Sequence, residues 1–239
     1  MQKCRQLKLG RLPKGKALRS VKFRGTTPGD PFRIWNTRPT HLVDPTHPAA
    51  RLPKRSLLSL LPSYTHTAFS VRALPKALLD SGDRPFRVAP PTGDDAKVVT
   101  MSAPMIVGKK AVYKDAYIRR KIMRKVKFAL GLVVAKGAEG ARVRTASGKE
   151  KDVLVQGETD RRLVLQDWSY VFSPSLEVYR MPYETLVPAL RDALIKIRSR
   201  ALVLEETRWG QDKQERRPQA SAEKCNAPRR NGSQLNRRP

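Results

Sequence analysis

The chain has 239 residues, and 49 Lys and Arg against 21 Asp and Glu give it a formal net charge of +28. Uncompensated charge of that size disfavours compaction and calls for a polyanionic partner; nucleic acid fits, because each Lys or Arg that meets a phosphate releases counterions. No apolar run approaches the ~20 residues of a membrane-spanning helix, and Cys4 and Cys225, near opposite ends, supply neither a disulfide framework nor a metal-ligand spacing.

In chain order, residues 1–29 hold nine basic residues and no acid. Such a start is typical of a mitochondrial presequence, and a basic arm that touches RNA directly would have the same composition. Gly10, Pro13 and Gly15 interrupt the amphipathic helix that import favours. Six prolines between residues 28 and 53 mark a linker or extended arm, so residues 1–62 are expected to be largely disordered. From Ser63 the composition becomes globular. Phe69, Val71, Leu74, Ala77 and Leu78 recur at near-helical spacing, which predicts a helix stopped at Gly82. RPFRVAPP (84–91) predicts a short strand, and VVTMSAPMIVG (98–108) a second one that Pro104 bulges or confines to an edge.

A helix is then expected from about Asp115 to Leu130. With Ile118 at 0° on a helical wheel, Ala129, Ile122, Val126, Leu130 and Met123 fall between about 20° and 140°. Lys127, Arg120, Arg124, Lys121 and Lys125 fall between about 180° and 340°, with Arg119 and Phe128 outside their expected arcs. A solvated surface face normally mixes signs, and this helix has no acid after Asp115, so the basic arc points to RNA or DNA. VVAKGAEGARVRTASGKE (133–150) predicts an exposed loop or hairpin, and DVLVQG and RLVLQDWSYVFSP predict two more strands. Residues 181–206 predict a helix, with Leu186, Leu190, Ala193, Leu194 and Ile197 on one face and Pro188 inside it. Beyond Thr207, nine basic and three acidic residues with almost no apolar content predict a disordered tail. The expected architecture is a mixed α/β sandwich over 63–206, a small sheet packed against helices, with 207–239 as the tail.

VVTMSAPMIVGKKAVYKDAYIRRKIMRKVKFAL (98–130) resembles the signature of the bacterial-type ribonuclease P protein component: a strand ending in Lys-Lys, a turn, then a helix of pattern A-V-x-R-N-R-x-x-R-R-x-R. Lys109 and Lys110 match the pair, Ala116 the helix start, Arg119, Arg120 and Lys121 the R-N-R positions, and Arg124, Lys125 and Lys127 the later basic ones. Arg120 stands where the family has asparagine, two extra residues separate Lys110 from Ala116, and 136–162 is a longer insert. Asp167, Val171, Phe172, Met181, Tyr183 and Leu186 fit the family's closing strand and helix. The resemblance implies a ribosomal-protein-like α+β fold and a non-catalytic subunit that assists a catalytic RNA in removing the 5′ leader of precursor tRNA. It implies ribonuclease P RNA and precursor tRNA as partners, with magnesium entering through the RNA and no cofactor held by the protein. Lys109, Lys110, Arg119, Arg120, Lys121, Arg124, Lys125 and Lys127 would then contact RNA. Tyr64, Phe69 and Phe86 would line a cleft for the leader, a role that competes with a core role for Phe69 and Phe86.

The residues themselves offer no catalytic site. His41, His47 and His66 are the chain's three histidines, none at a useful spacing from Cys or Asp, and Asp94–Asp95 follows Gly93 as turn chemistry. The rival expectations are a structural protein of an organellar ribosome and a degenerate relative acting as a general RNA chaperone. With the presequence-like start, the leading reading places the protein in mitochondria.

Overall fold

A strand that was expected as a helix organises the molecule. In the computed structural model, which describes residues 20–23, 26–32, 39–82, 98–144, 150–157 and 159–209, the segment after Ser63 is extended. The elements in chain order are β1 (Ser20–Lys22), α1 (Lys54–Leu60), β2 (Ser63–Thr65), β3 (Phe69–Pro75), β4 (Val98–Thr100), α2 (Ala116–Lys136), β5 (Ala138–Arg144), β6 (Glu150–Gln156), β7 (Trp168–Pro174), α3 (Glu177–Arg180) and α4 (Tyr183–Leu204). The chain divides into two compact units, Met1–Leu202 and Val203–Pro239. In the second, a π-helical turn spans Glu205–Trp209, and the Thr207 hydroxyl donates to Val203 O at 2.7 Å.

The helix predicted over 69–82 is corrected to strand β3 and a 3₁₀ turn, Lys76–Leu78. Phe69, Val71, Ala73 and Pro75 lie on one face at the strand period and pair with Pro174, Phe172, Tyr170 and Trp168 of antiparallel β7; all eight are buried. The side chains that suggested a helical stripe are satisfied better by this ladder, and Pro75, which would break a helix, ends the strand. β2 pairs antiparallel with the other side of β3, with Tyr64 opposite Val71 on the same face. Helices cover that face: Lys196 of α4 lies 5.2 Å from the Tyr64 ring centroid, and Arg200 donates to Ser63 O at 2.8 Å. α4 buries Leu186, Leu190, Ala193, Leu194 and Ile197, the predicted stripe.

Residues 101–106 run parallel to the free edge of β7. Tyr170 N donates to Ser102 O at 2.8 Å, Phe172 N to Pro104 O at 3.0 Å and Ile106 N to Phe172 O at 2.8 Å. Pro104 has no N–H to return, so the predicted long strand is regular only over β4, which pairs with β1. The chain passes from this edge through α2 before reaching β7, the crossover that parallel neighbours require.

On the other face of the sheet the N-terminal arm is tied down. Thr27 and Ser102 hydroxyls lie 2.6 Å apart and Ser102 and Ser169 hydroxyls 2.7 Å, so the two buried serines share a hydroxyl chain. Asp30 N donates to Asp80 O at 2.8 Å, Val43 N to Leu79 O at 3.0 Å and Ser81 N to His41 O at 2.8 Å. The proline-rich stretch is thus extended, with short 3₁₀ turns at Pro39–His41 and Pro48–Arg51, and it lies on the 77–81 segment.

The helix expected to end at Leu130 continues to Lys136, because Leu132, Val133, Val134 and Ala135 are buried. It stops where Gly137 adopts the left-handed conformation at φ 61° and donates to Leu132 O, a turn that costs glycine nothing. The glycine-rich stretch beyond is the β5–β6 hairpin, anchored by an ion pair of 2.5 Å between Arg191 and Glu139. The strand predicted from Arg162 begins only at Trp168, after a 3₁₀ turn at Arg161–Leu163. The strand predicted over 84–91 lies outside the described residues, as does Phe86.

Candidate nucleic-acid interface

The site is built on α2, whose sequence separates an apolar arc from a basic one. Ile122, Val126, Ala129 and Leu130 are buried as the wheel requires. Asp115, the one acid of the segment, is used at the N-cap: its carboxylate accepts the Tyr117 N–H at 2.7 Å and places negative charge on the positive end of the helix dipole.

The eight basic residues singled out by sequence divide into groups. Arg120, Arg124 and Lys127 are exposed and make no ion pair among the described residues, and Lys127 stands 5.7 Å from the Phe23 ring centroid. Lys121 is exposed with its ammonium 4.5 Å from the Tyr117 ring centroid. Lys109 and Lys110 are exposed on the turn before the helix and, with Tyr113, Lys114, Asp115 and Ile118, border an open concavity of about 610 Å³ at the same end. The outward surface is therefore continuous from the Lys109–Lys110 turn along the first three turns of α2.

Arg119 and Lys125 have other work. Arg119, on the apolar side of the wheel, donates from Nη1 to Tyr113 O at 2.9 Å and Lys114 O at 2.8 Å. It thereby fastens the turn that contains the two extra residues. Lys125 donates from Nζ to Tyr179 O at 3.1 Å and to Met181 O, and lies 5.3 Å from the Tyr183 ring centroid. Its ammonium caps the carbonyl end of α3. Helical spacing alone cannot find these roles, because the accepting carbonyls belong to a distant turn in one case and to an irregular loop in the other.

The aromatic candidates are not gathered on the sheet's open face. Phe69 is 3% exposed, inside the helix-facing layer, with the Tyr64 ring 6.2 Å and the His66 ring 5.2 Å away. Tyr64 sits beside Lys196, and burial, then the nearby Asp192 carboxylate, pushes its phenol above the usual range. The opposite face carries a groove of about 490 Å³ instead, with Ser63, Thr65, Ser70, Arg72 and Ser173 on its floor and Phe32 and Ile106 at its border. Phe32 and Ile106 were not singled out by sequence; their only signal is an exposed apolar side chain beside Pro31 in one case and beyond Pro104 in the other.

The histidines serve turns. His47 Nδ1 accepts the Ala49 N–H and His66 Nδ1 the Ala68 N–H, both at 3.2 Å. Among the described residues no group of three or more His, Cys, Asp or Glu could hold a metal ion. Chemically, the α2 surface can bind phosphates through ammonium and guanidinium groups, and it offers no general acid or base. In comparison with known proteins, no family model, no curated protein and no solved structure matches this chain.

Proposed function

We infer that the chain is an RNA-binding protein of the ribonuclease P type, a subunit that assists a catalytic RNA in removing the 5′ leader of precursor tRNA. The observation that carries this reading is the outward arc of α2, where Arg120, Arg124 and Lys127 are exposed without ion-pair partners among the described residues and the Lys109–Lys110 turn extends the same surface. A surface face kept for solubility would interleave carboxylates; this one keeps its potential, as phosphate binding requires. The order of parts supports the narrower family reading: a strand along the sheet edge, a Lys-Lys turn, a basic helix, then β7 beside that strand. On this reading magnesium enters with the RNA. The leader would lie in the Ser63–Arg72–Ser173 groove, whose hydroxyls and guanidinium suit an extended phosphate backbone. The basic start of the chain directs it to mitochondria.

Two measurements test the reading. Arg120→Glu, Arg124→Glu and Lys127→Glu together should leave the far-UV spectrum and melting intact, since the arc faces outward. The same variant should abolish the steep salt dependence of RNA binding, whose slope approaches ~0.7–0.9 per phosphate contact. Sequencing of RNAs crosslinked to the purified protein should return a ribonuclease P RNA and precursor tRNAs. A folded triple variant with undiminished affinity would refute the assignment of the face, and crosslinks confined to ribosomal RNA would establish the ribosomal alternative.

A further inference from the structure

The basic arc of α2 is not uniformly basic. Tyr117 is 61% exposed and Phe128 51%, although a helix resting on a sheet gives neither ring a reason to be there. Tyr117, Lys121, Arg124 and Phe128 follow at i, i+4, i+7 and i+11, within about 60° of one another on the wheel and over about 16 Å of helix. They form one stripe: a ring, two cations, a ring. The Lys121 ammonium stands 4.5 Å from the Tyr117 centroid. Phe128 meets Tyr183 edge-on at 5.5 Å, which fixes its ring without covering it.

We propose that this stripe takes unpaired RNA nucleotides, with bases stacked on Tyr117 and Phe128 and the phosphates between them held by Lys121 and Arg124. The proposal rests on the RNA-binding reading of the same face and narrows its ligand. A fully paired RNA duplex keeps its bases inside and would engage only the cations, leaving both rings idle against water. A loop, bulge or single strand presents base faces, and stacking on an aromatic ring beside a cation accepts any base. Because ring and ammonium are adjacent at Tyr117–Lys121, a phosphate drawn to the cation brings its own base within reach of the ring. An anionic bilayer would also attract cations interspersed with aromatics, but it needs a contiguous apolar face to insert. Here that face of α2, Ile122, Val126, Ala129 and Leu130, is at most 1% exposed.

The test uses the full chain and three probes: a short single-stranded RNA carrying 2-aminopurine, a perfectly paired RNA duplex of equal phosphate number, and phosphatidylserine vesicles. Wild type should bind the single strand with quenching of the fluorescent base. Tyr117→Ala and Phe128→Leu, the latter keeping an apolar contact to Tyr183, should each weaken single-strand binding by about 5- to 100-fold and relieve the quenching. Duplex binding should change by no more than about twofold, because its phosphates still meet Lys121 and Arg124. Tyr117→Trp should retain both affinity and quenching. Unchanged single-strand affinity in both variants, or an equal loss on both RNAs, would overturn the stacking proposal while duplex binding by the wild type leaves the RNA-binding reading in place. Binding of neither RNA by the wild type, or of vesicles in preference to both, would overturn the two together.

Discussion

Lys125 and Arg124 are neighbours in sequence with the same charge, yet the structure gives them opposite roles, and Lys125→Met separates them. The Lys125 ammonium donates to Tyr179 O at 3.1 Å and to Met181 O, and stands 5.3 Å from the Tyr183 ring centroid. A hydrogen bond from a charged donor contributes ~1.5–3 kcal/mol when well buried. Lys125 is only half-buried and the carbonyls it leaves can take water, so the lower part of that range applies, with ~0.5–1 kcal/mol from the ring where it is shielded. Methionine keeps the aliphatic stem, so the substitution should cost about 1–2 kcal/mol, or a melting temperature lower by about 2–8 °C for a domain of this size. Arg124→Met loses no ion pair among the described residues and should stay within about 0.5 kcal/mol of wild type. In RNA binding the order reverses: Arg124→Met should remove close to one counterion from the salt slope, and Lys125→Met a small fraction of that. Thermal unfolding by circular dichroism and filter binding over a salt series read the two quantities on the same preparations. A Lys125→Met protein that melts like wild type but loses a full counterion would refute the capping role.

Gly137→Ala should cost about 1–2 kcal/mol in urea unfolding, because φ 61° forces a Cβ into the left-handed region at the C-cap of α2. Gly140→Ala places its Cβ 2.5 Å from Pro188 Cγ, so the hairpin must shift from α4 at a cost of about 1–3 kcal/mol. Adding Pro188→Ala should recover much of that loss, and a double-mutant cycle without coupling would show that the hairpin does not rest there. Lys76 is held below the usual lysine range, chiefly by burial and against the pull of the Asp167 carboxylate. The unfolded chain therefore keeps this proton to higher pH than the folded one. Stability should rise as pH climbs from the lowered folded value towards the ordinary lysine range, and fall away below it. Lys76→Met should abolish that rise; a difference in unfolding free energy from wild type that stays flat between neutral and about pH 10 would contradict it.

What the sequence made legible follows from where the deciding contacts lie. The two faces of α2 are fixed by residues three and four apart, so the buried set Ile122, Val126, Ala129 and Leu130 could be written down from periodicity. The same holds for α4, where Pro188 sits inside the helix without ending it. β3 was misread because Phe69, Val71, Leu74, Ala77 and Leu78 mix periods of two and three to four, and a run that short is arbitrated by its partner. That partner is β7, about a hundred residues downstream, and only the pairing of Val71 with Phe172 and Ala73 with Tyr170 chooses the strand. The end of α2 was placed too early for a similar reason. Gly131 suggested a stop, whereas burial of Val133 and Val134 carries the helix onward to a glycine that does adopt positive φ. In the basic arc, the sign of every charge was legible and its occupation was not: the carbonyls that engage Arg119 and Lys125 are invisible to a helical wheel.

That occupation resolves a conflict the sequence raised. Arg120–Arg124 and Lys121–Lys125 are like-charge pairs one turn apart, which destabilise an isolated helix by a few tenths of a kcal/mol each. The usual remedy is a carboxylate at the same spacing, which would steady the helix and cancel the field. Here the contacts of four cations are to dipoles and ring faces: Arg119 to the Tyr113 and Lys114 carbonyls, Lys125 to those of Tyr179 and Met181, Lys121 to the Tyr117 ring and Lys127 to Phe23. Carbonyl oxygens and π-faces carry only partial negative charge, so these contacts orient the side chains while each full positive charge persists. A helix stabilised by ion pairs would have to break them before meeting a phosphate. This one holds its cations in place already, and the desolvation and ordering that binding requires are correspondingly smaller. The burial of its apolar arc supplies the stability that the like charges remove, which is why a face so basic can exist on a helix so firmly packed.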